Sequence, residues 1–335
     1  MRIYTKDEAR ERINRLGCEK APFLFIIDYA MHENYVIPLD EVDDREILFD
    51  FNGRTNLSGM PPIALPANIE WSKTPTSFDA YRHGFDIVME GLKKGNSFLT
   101  NLTGRTPIQT NLSLTEIFHG SRAKYRLWMK ERFCALSPEI FVRINNRRIA
   151  SFPMKGTIDA SVADAENRIL NDPKEAAEHA TIVDLIRNDL SMHANKVTVN
   201  RYRYIDHLPT NSGELLQVSS EVCGELPEDF HTCLGDILFD MLPAGSICGA
   251  PKKKTLEIIA EAEGIGRGFY TGVAGIFDGS DLDSGVLIRF IEQDENGQLY
   301  FRSGGGITAK SNARSEYDEL IQKIYVPICR DHSSQ

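Results

Sequence analysis

The sequence has no apolar run long enough to cross a bilayer. Its longest, Pro22 to Ile27, falls far short of the roughly 20 residues a spanning helix needs. The first residues, Met1-Arg2-Ile3-Tyr4-Thr5-Lys6-Asp7-Glu8, lack the apolar centre of a secretory signal and turn acidic at once. A basic surface is also missing: 38 Lys and Arg stand against 48 Asp and Glu, a formal charge of −10. Nucleic-acid binding needs clustered cations, so that class is excluded. The six cysteines (Cys18, Cys134, Cys223, Cys233, Cys248 and Cys329) include no C-x-x-C pair for zinc or redox chemistry. A chain this long needs no disulfide staples, so free thiols in a cytoplasmic protein are expected. Repeats and low-complexity blocks are absent as well.

What is present is an ordinary globular mix, 41% hydrophobic and 26% charged over 335 residues. No composition shift marks a boundary, so one folded unit over 1–335 is expected. Residues 1–20 read as an amphipathic helix and turn, and Phe23-Leu24-Phe25-Ile26-Ile27 as a buried strand. Asn56 to Pro75 reads as a surface connection. A helix is predicted from Ser77 through Lys94, stopped by Gly95-Asn96, and a strand from Phe98 to Ile108. Ile140–Ile144 and Arg148–Phe152 flank a hairpin turn at Asn145-Asn146. Asp172 caps a helix reaching about Leu190, with Pro173 in its first turn. Another helix covers Pro251–Glu263. Strands Val286–Ile291 and Leu299–Arg302 pair around Asn296-Gly297, Gly304-Gly305-Gly306 end the second of them, and a last helix runs from about Asn312 to Ile328. Grouped strands and helices without strict alternation predict an α+β fold.

Several patterns could carry chemistry, and each has a plain structural reading. Glu175 and Glu178 lie three apart on one helix, as do Glu316 and Glu319, with Lys323 four further on. Solvated helix faces carry such pairs routinely. If the two pairs met, four carboxylates would make an all-oxygen site suited to Mg²⁺, and without a cation they would repel one another. In Phe152-Pro153-Met154-Lys155-Gly156-Thr157, Lys155 is either a surface cation or a desolvated amine able to act as nucleophile or base. Pro243-Ala244-Gly245-Ser246-Ile247-Cys248-Gly249-Ala250-Pro251-Lys252 opens a helix but fails the P-loop spacing. Arg289, placed on a strand, could join Tyr270 and Gly304–Gly306 around a carboxylate.

Taken in order, these segments form a joint pattern. They run from Pro153-Met154-Lys155-Gly156-Thr157 through Glu178-His179, Asp184-Leu185-Ile186-Arg187-Asn188-Asp189-Leu190 and Gly245–Lys252. They continue with Tyr270-Thr271-Gly272-Val273-Ala274-Gly275, Ile288-Arg289, Gly304-Gly305-Gly306-Ile307 and Ser315-Glu316-Tyr317-Asp318-Glu319. The series resembles the chorismate-utilising enzymes over about residues 77–328, with 1–76 a shortened N-terminal part of the same unit. The lysine of the P-x-K-G-T segment looks like that of the aminodeoxychorismate synthases; anthranilate synthases usually carry alanine there.

The resemblance implies a layered α/β sandwich like that of anthranilate synthase component I. It implies that Glu178 and Glu319 bind Mg²⁺ directly and that Glu175 and Glu316 assist through water. Arg289 and Tyr270 would hold the enolpyruvyl carboxylate of chorismate near the backbone of Gly304, Gly305 and Gly306. Lys323 would sit near a substrate carboxylate, with Gly156 and Thr157 lining the ring. Lys155 would attack C2, and ammonia from a separate glutamine amidotransferase subunit would then add at C4. Related enzymes that activate water at C2 use a lysine, where this chain has Leu99; a leucine cannot serve as a base. Two further positions depart from the pattern. Gln217 stands where many relatives carry a histidine proposed to protonate the leaving hydroxyl, and a Gln amide does not titrate. Cys248 replaces a Thr or Ser. These two leave open a non-catalytic chorismate-binding subunit. No tryptophan-site motif is found near the N-terminus.

Overall fold

The computed structural model describes residues 1–61, 63–210 and 213–328. Two nine-stranded sheets dominate it, and every strand pairing recorded in them is antiparallel. The first sheet runs Met154–Asp159, Gly213–Glu225, Arg148–Ser151, Ile140–Asn145, Leu282–Val286, Val273–Phe277, Phe23–Ile27, Asn34–Pro38, and Asn195–Thr210 also pairs with Gly213–Glu225. The second runs Gly249–Ala250, Leu99–Thr110, Leu299–Ile307, Phe290–Gln293, Phe133–Ser137, Tyr125–Met129, Ile47–Phe51, Arg54–Thr55, and Trp71–Lys73 also pairs with Leu99–Thr110.

Strand alternation explains how these sheets stack. All five residues of Phe23–Ile27 are buried. Phe23, Phe25 and Ile27 face helical residues such as Ile13, Ile186 and Leu234, whereas Leu24 and Ile26 meet Phe49, Tyr125 and Phe133 of the second sheet. The outer face of the second sheet packs on Ile117, Phe118 and Leu320. The result is helices, sheet, sheet, helices, which is the predicted α+β sandwich. Residues before 77 supply strands to both sheets. No helix among the described residues is long and apolar enough to cross a membrane, and Cys18, Cys134, Cys223, Cys233 and Cys248 are free thiols; Cys329 lies outside the described residues.

Local differences from the sequence reading matter for the site. The expected strand Val286–Ile291 is broken: Leu282–Val286 belongs to the first sheet and Phe290–Gln293 to the second. Arg289 therefore lies in the crossing between sheets, at φ +50°, and not on a strand. The three glycines do not end a strand but lie within Leu299–Ile307. The last helix covers only Ala313–Gln322, with Lys323 at its C-cap. The hairpin turn falls at Asn146-Arg147, both at positive φ as a two-residue turn demands, one position later than expected. The expected connection Asn56–Pro75 contains the short strand Trp71–Lys73, and the long hairpin Asn195–Thr210 with Gly213–Glu225 had no clear sequence signal.

Candidate active site

The strand Leu299–Ile307 organises the site. It pairs with Leu99–Thr110 along its whole length, but its other neighbour, Phe290–Gln293, reaches only to Arg302. Among the described residues, positions 303–307 have no strand partner on that second side. Gly304, Gly305 and Gly306 thus form a bare strip with one free edge. A Cβ placed on Gly306 would lie 3.2 Å from Lys155 Nζ and 3.3 Å from Glu178 Oε2. One on Gly305 would lie 3.8 Å from Glu316 Oε2, 3.8 Å from Lys323 Nζ and 3.9 Å from Glu319 Oε1. Glu178 thus lies beside Gly306 and Glu316 and Glu319 beside Gly305, whereas Glu175 lies beside Gly156.

Two helices deliver the carboxylates. Pro173–Ser191 starts where Asp172 Oδ1 accepts the Glu175 N–H at 3.0 Å, and it carries Glu175 and Glu178. Ala313–Gln322 is capped by the Asn312 side chain and carries Glu316 and Glu319. Consecutive strand residues face opposite sides, so the helices approach the glycine strip from its two faces. Among the described residues no three His, Cys, Asp or Glu side chains stand together closely enough to hold one ion. The donor chemistry, carboxylate oxygen without thiolate, suits a hard cation such as Mg²⁺. On the Gly305 side Lys323 supplies a cation: its Nζ lies 2.8 Å from Glu319 Oε1 and donates to the Gly304 carbonyl at 2.8 Å.

Lys155 owes its placement to Gly156. The pairing of Met154–Asp159 with Gly213–Glu225 shifts between Lys155 and Thr157, and Gly156 takes up the irregularity at φ +76°. A side chain there would also meet Glu175 Oε2 at 3.1 Å. Lys155 lies across from Val218, and Thr157 lies across from Gln217, which puts Gln217 one register position from Lys155. Leu99 Cδ1 comes within 3.1 Å of the same Cβ position over Gly306, so a leucine flanks Lys155.

Sequence reasoning missed Glu139. It follows Ser137-Pro138 between two strands, is 9% exposed, and accepts a short hydrogen bond from Ser246 Oγ. Burial pushes its pKa up, against the pull of the Ser246 hydrogen bond and of the nearby Lys155 charge. A single carboxylate without a spaced partner offers no pattern to read; only the fold brings it to the lysine. Cys248 is fully buried with its thiol pushed up to about 11 by burial, and its Sγ lies 3.7 to 4.0 Å from the carbonyls of Pro243, Gly245 and Gly249.

Arg289 is solvent-accessible, yet surrounding protein desolvates its guanidinium enough to lower its pKa, and among the described residues no carboxylate offsets that effect. Its guanidinium lies 5.4 Å from the Tyr325 ring centre. A cation both desolvated and reachable suits an incoming anion. Tyr270 is buried with its ring 5.9 Å from Phe290, the residue after Arg289, and burial raises its hydroxyl pKa.

Two antiparallel sheets, one bringing Lys155 to the bare glycine strip of the other, with carboxylate-bearing helices beside them and a buried acid nearby, define the class. Residues 37–328 match the chorismate binding enzymes, and the chain belongs to that family, whose members act on chorismate. A Haemophilus influenzae protein named "uncharacterized PabA-like protein" is 49% identical over 318 residues, covering 95% of this chain and 96% of that one. Aminodeoxychorismate synthase component 1 of Escherichia coli is 29% identical over 314 residues, covering 89% of this chain and 66% of the relative. The solved menaquinone-specific isochorismate synthase of Escherichia coli superposes with a TM-score of 0.74 at 15% identity, covering 96% of this chain and 82% of that one. At that identity the likeness carries the fold alone.

Proposed function

We propose that the chain is the chorismate-aminating component of an aminodeoxychorismate synthase. The observation that carries this reading is Lys155 Nζ over Gly306, with the buried acid Glu139 near it and Leu99 in place of any base for water. As a neutral amine, Lys155 attacks C2 of chorismate while the C4 hydroxyl leaves with an allylic shift. Glu139, whose raised pKa favours the protonated form, gives that hydroxyl its proton so that it departs as water. Ammonia then adds at C4 and expels Lys155, giving 4-amino-4-deoxychorismate. Covalent catalysis replaces one awkward substitution at C4 with two allylic ones. This assigns to Glu139 the proton donation that Gln217 cannot perform.

Arg289 and Tyr270 hold the enolpyruvyl carboxylate, and Lys323 approaches a second carboxylate. Gly156 and Thr157 line the ring. Glu178 and Glu319 would hold Mg²⁺ directly, with Glu175 and Glu316 assisting through water; a bound ion would supply positive charge against these carboxylates and a carboxylate of the substrate. Ammonia comes from a separate glutamine amidotransferase subunit, and a pyridoxal-phosphate lyase would release p-aminobenzoate for folate synthesis.

The test incubates purified protein with chorismate, Mg²⁺ and ammonium and resolves products by chromatography and mass. Aminodeoxychorismate, convertible by added lyase to p-aminobenzoate, is expected. Anthranilate instead would mean that Lys155 does not set the position of amination. No turnover, with or without an added amidotransferase, would favour a chorismate-binding subunit.

A further inference from the structure

Asn101 lies directly across from Gly306 in the pairing of Leu99–Thr110 with Leu299–Ile307. Directly opposed residues of an antiparallel pair project to the same face, so its carboxamide stands on the face where Lys155 Nζ and Glu178 Oε2 converge. Its Oδ1 is buried, and among the described residues no donor reaches it. Folded proteins keep few such orphaned acceptors, because a buried polar atom without a partner destabilises the fold. Gly306 opposite has no side chain to fill the gap, and Leu99, next on the same face, has no polar atom to satisfy it.

We infer that Asn101 Oδ1 is the acceptor that holds the incoming ammonia beside the substrate ring. The inference rests on the amination reading above. Ammonia brings three N–H donors and one lone pair, and attack at C4 uses the lone pair. The N–H groups must then be anchored on the side away from carbon. A neutral amide oxygen does this without favouring ammonium, whose lone pair is occupied; a carboxylate would favour it. As the C4–N bond forms, the C2–N bond to Lys155 breaks and its electron pair returns to Lys155 Nζ. The product ammonium carries the charge the adduct held, so no outside oxidant or acid is needed.

Asn101→Leu keeps the size and removes the acceptor. With ammonium as the nitrogen source, its KM for ammonium should rise about tenfold, the effect of one lost hydrogen bond. Its KM for chorismate should stay unchanged. Its Tm should hold or rise, since an orphaned acceptor has gone. An unchanged KM for ammonium overturns the inference, as does a lower Tm with all kinetic constants impaired, which would mark a structural role. A fall in kcat at saturating ammonium without a change in KM overturns it too, assigning Asn101 to Lys155 instead. Wild-type protein that forms no aminated product overturns the amination reading and this inference together.

Discussion

The two faces of the glycine strip carry the same residue types, lysine and glutamate, and differ in how far one pair of them meets solvent. On the Gly306 face, Glu178 is 6% exposed and Glu139 9% exposed. Neighbouring His179 has its pKa lowered to about 4, chiefly by burial and then by the charges of Arg203 and Lys155. Charge is disfavoured there, so protons can be moved at modest cost. On the Gly305 face Glu316 is as buried, at 5% exposed, but the side chains of Glu319 and Lys323 are 50% and 45% exposed and pair with one another. Charge is stable there, so ions and carboxylates can exchange. One face suits bond making and the other suits recruitment, and the difference lies in the exposed Glu319–Lys323 pair, since each face also holds one buried glutamate.

The strongest way to break this division is Lys155→Ala, which should lower amination of chorismate by about 10³-fold, equivalent to about 4 kcal/mol in the barrier. Unchanged turnover would discard the covalent route. Glu139→Gln should cost about 10²-fold or more in turnover while changing stability in the other direction. Burial raises the Glu139 pKa above its unfolded value of 4.5. Between the two values the folded chain keeps a proton the unfolded chain has lost. Its contribution to stability is therefore full below the unfolded pKa and is lost as pH rises through the folded one. The Gln variant should match wild type near pH 4 and exceed its Tm at pH 8; a lower Tm at pH 8 would show Glu139 to be stabilising as a carboxylate.

Adjacent glycines give a sharper contrast. Gly306→Ala places a methyl 3.1 to 3.3 Å from Leu99, Lys155 and Glu178, and should cost about ten- to a hundredfold in kcat by displacing the lysine. Gly305→Ala meets only ordinary contacts at 3.8 to 3.9 Å and should stay within about twofold. Equal effects would erase the distinction between faces. Lys323→Met should tighten Mn²⁺ binding, read by electron paramagnetic resonance titration, by up to about fivefold, since it removes an exposed competing ion pair; weaker binding would contradict that competition. The smallest effect is expected at Cys248. Cys248→Ser should alter turnover by no more than about twofold, and in native protein maleimide should label exposed Cys18 and leave Cys248 unmodified.

The carboxylate pairs, Lys155 and the capped helix at Asp172 were legible because helical spacing and capping are local. Three things were not. Arg289 reads as a strand residue because Val286–Ile291 is uniformly apolar around it, and nothing local reveals that the chain changes sheets there. Glu139 and Asn101 are single residues without a spaced partner, and their meaning depends on contacts with segments far along the chain. The gathering of Lys155, Glu178 and Glu316 around two glycines depends on the register of Leu299–Ile307, which no spacing rule supplies.

The bare strip at Gly304–Gly306 also inverts the usual logic of mutational scanning. Replacing residues by alanine ordinarily subtracts atoms, and loss of function marks what was needed. Here alanine adds an atom, and at Gly304 it would meet the Thr103 side chain at 2.7 Å and the Leu102 carbonyl at 2.9 Å. This part of the molecule is built from vacancy. Its tolerance to change should track the volume introduced rather than the chemistry removed.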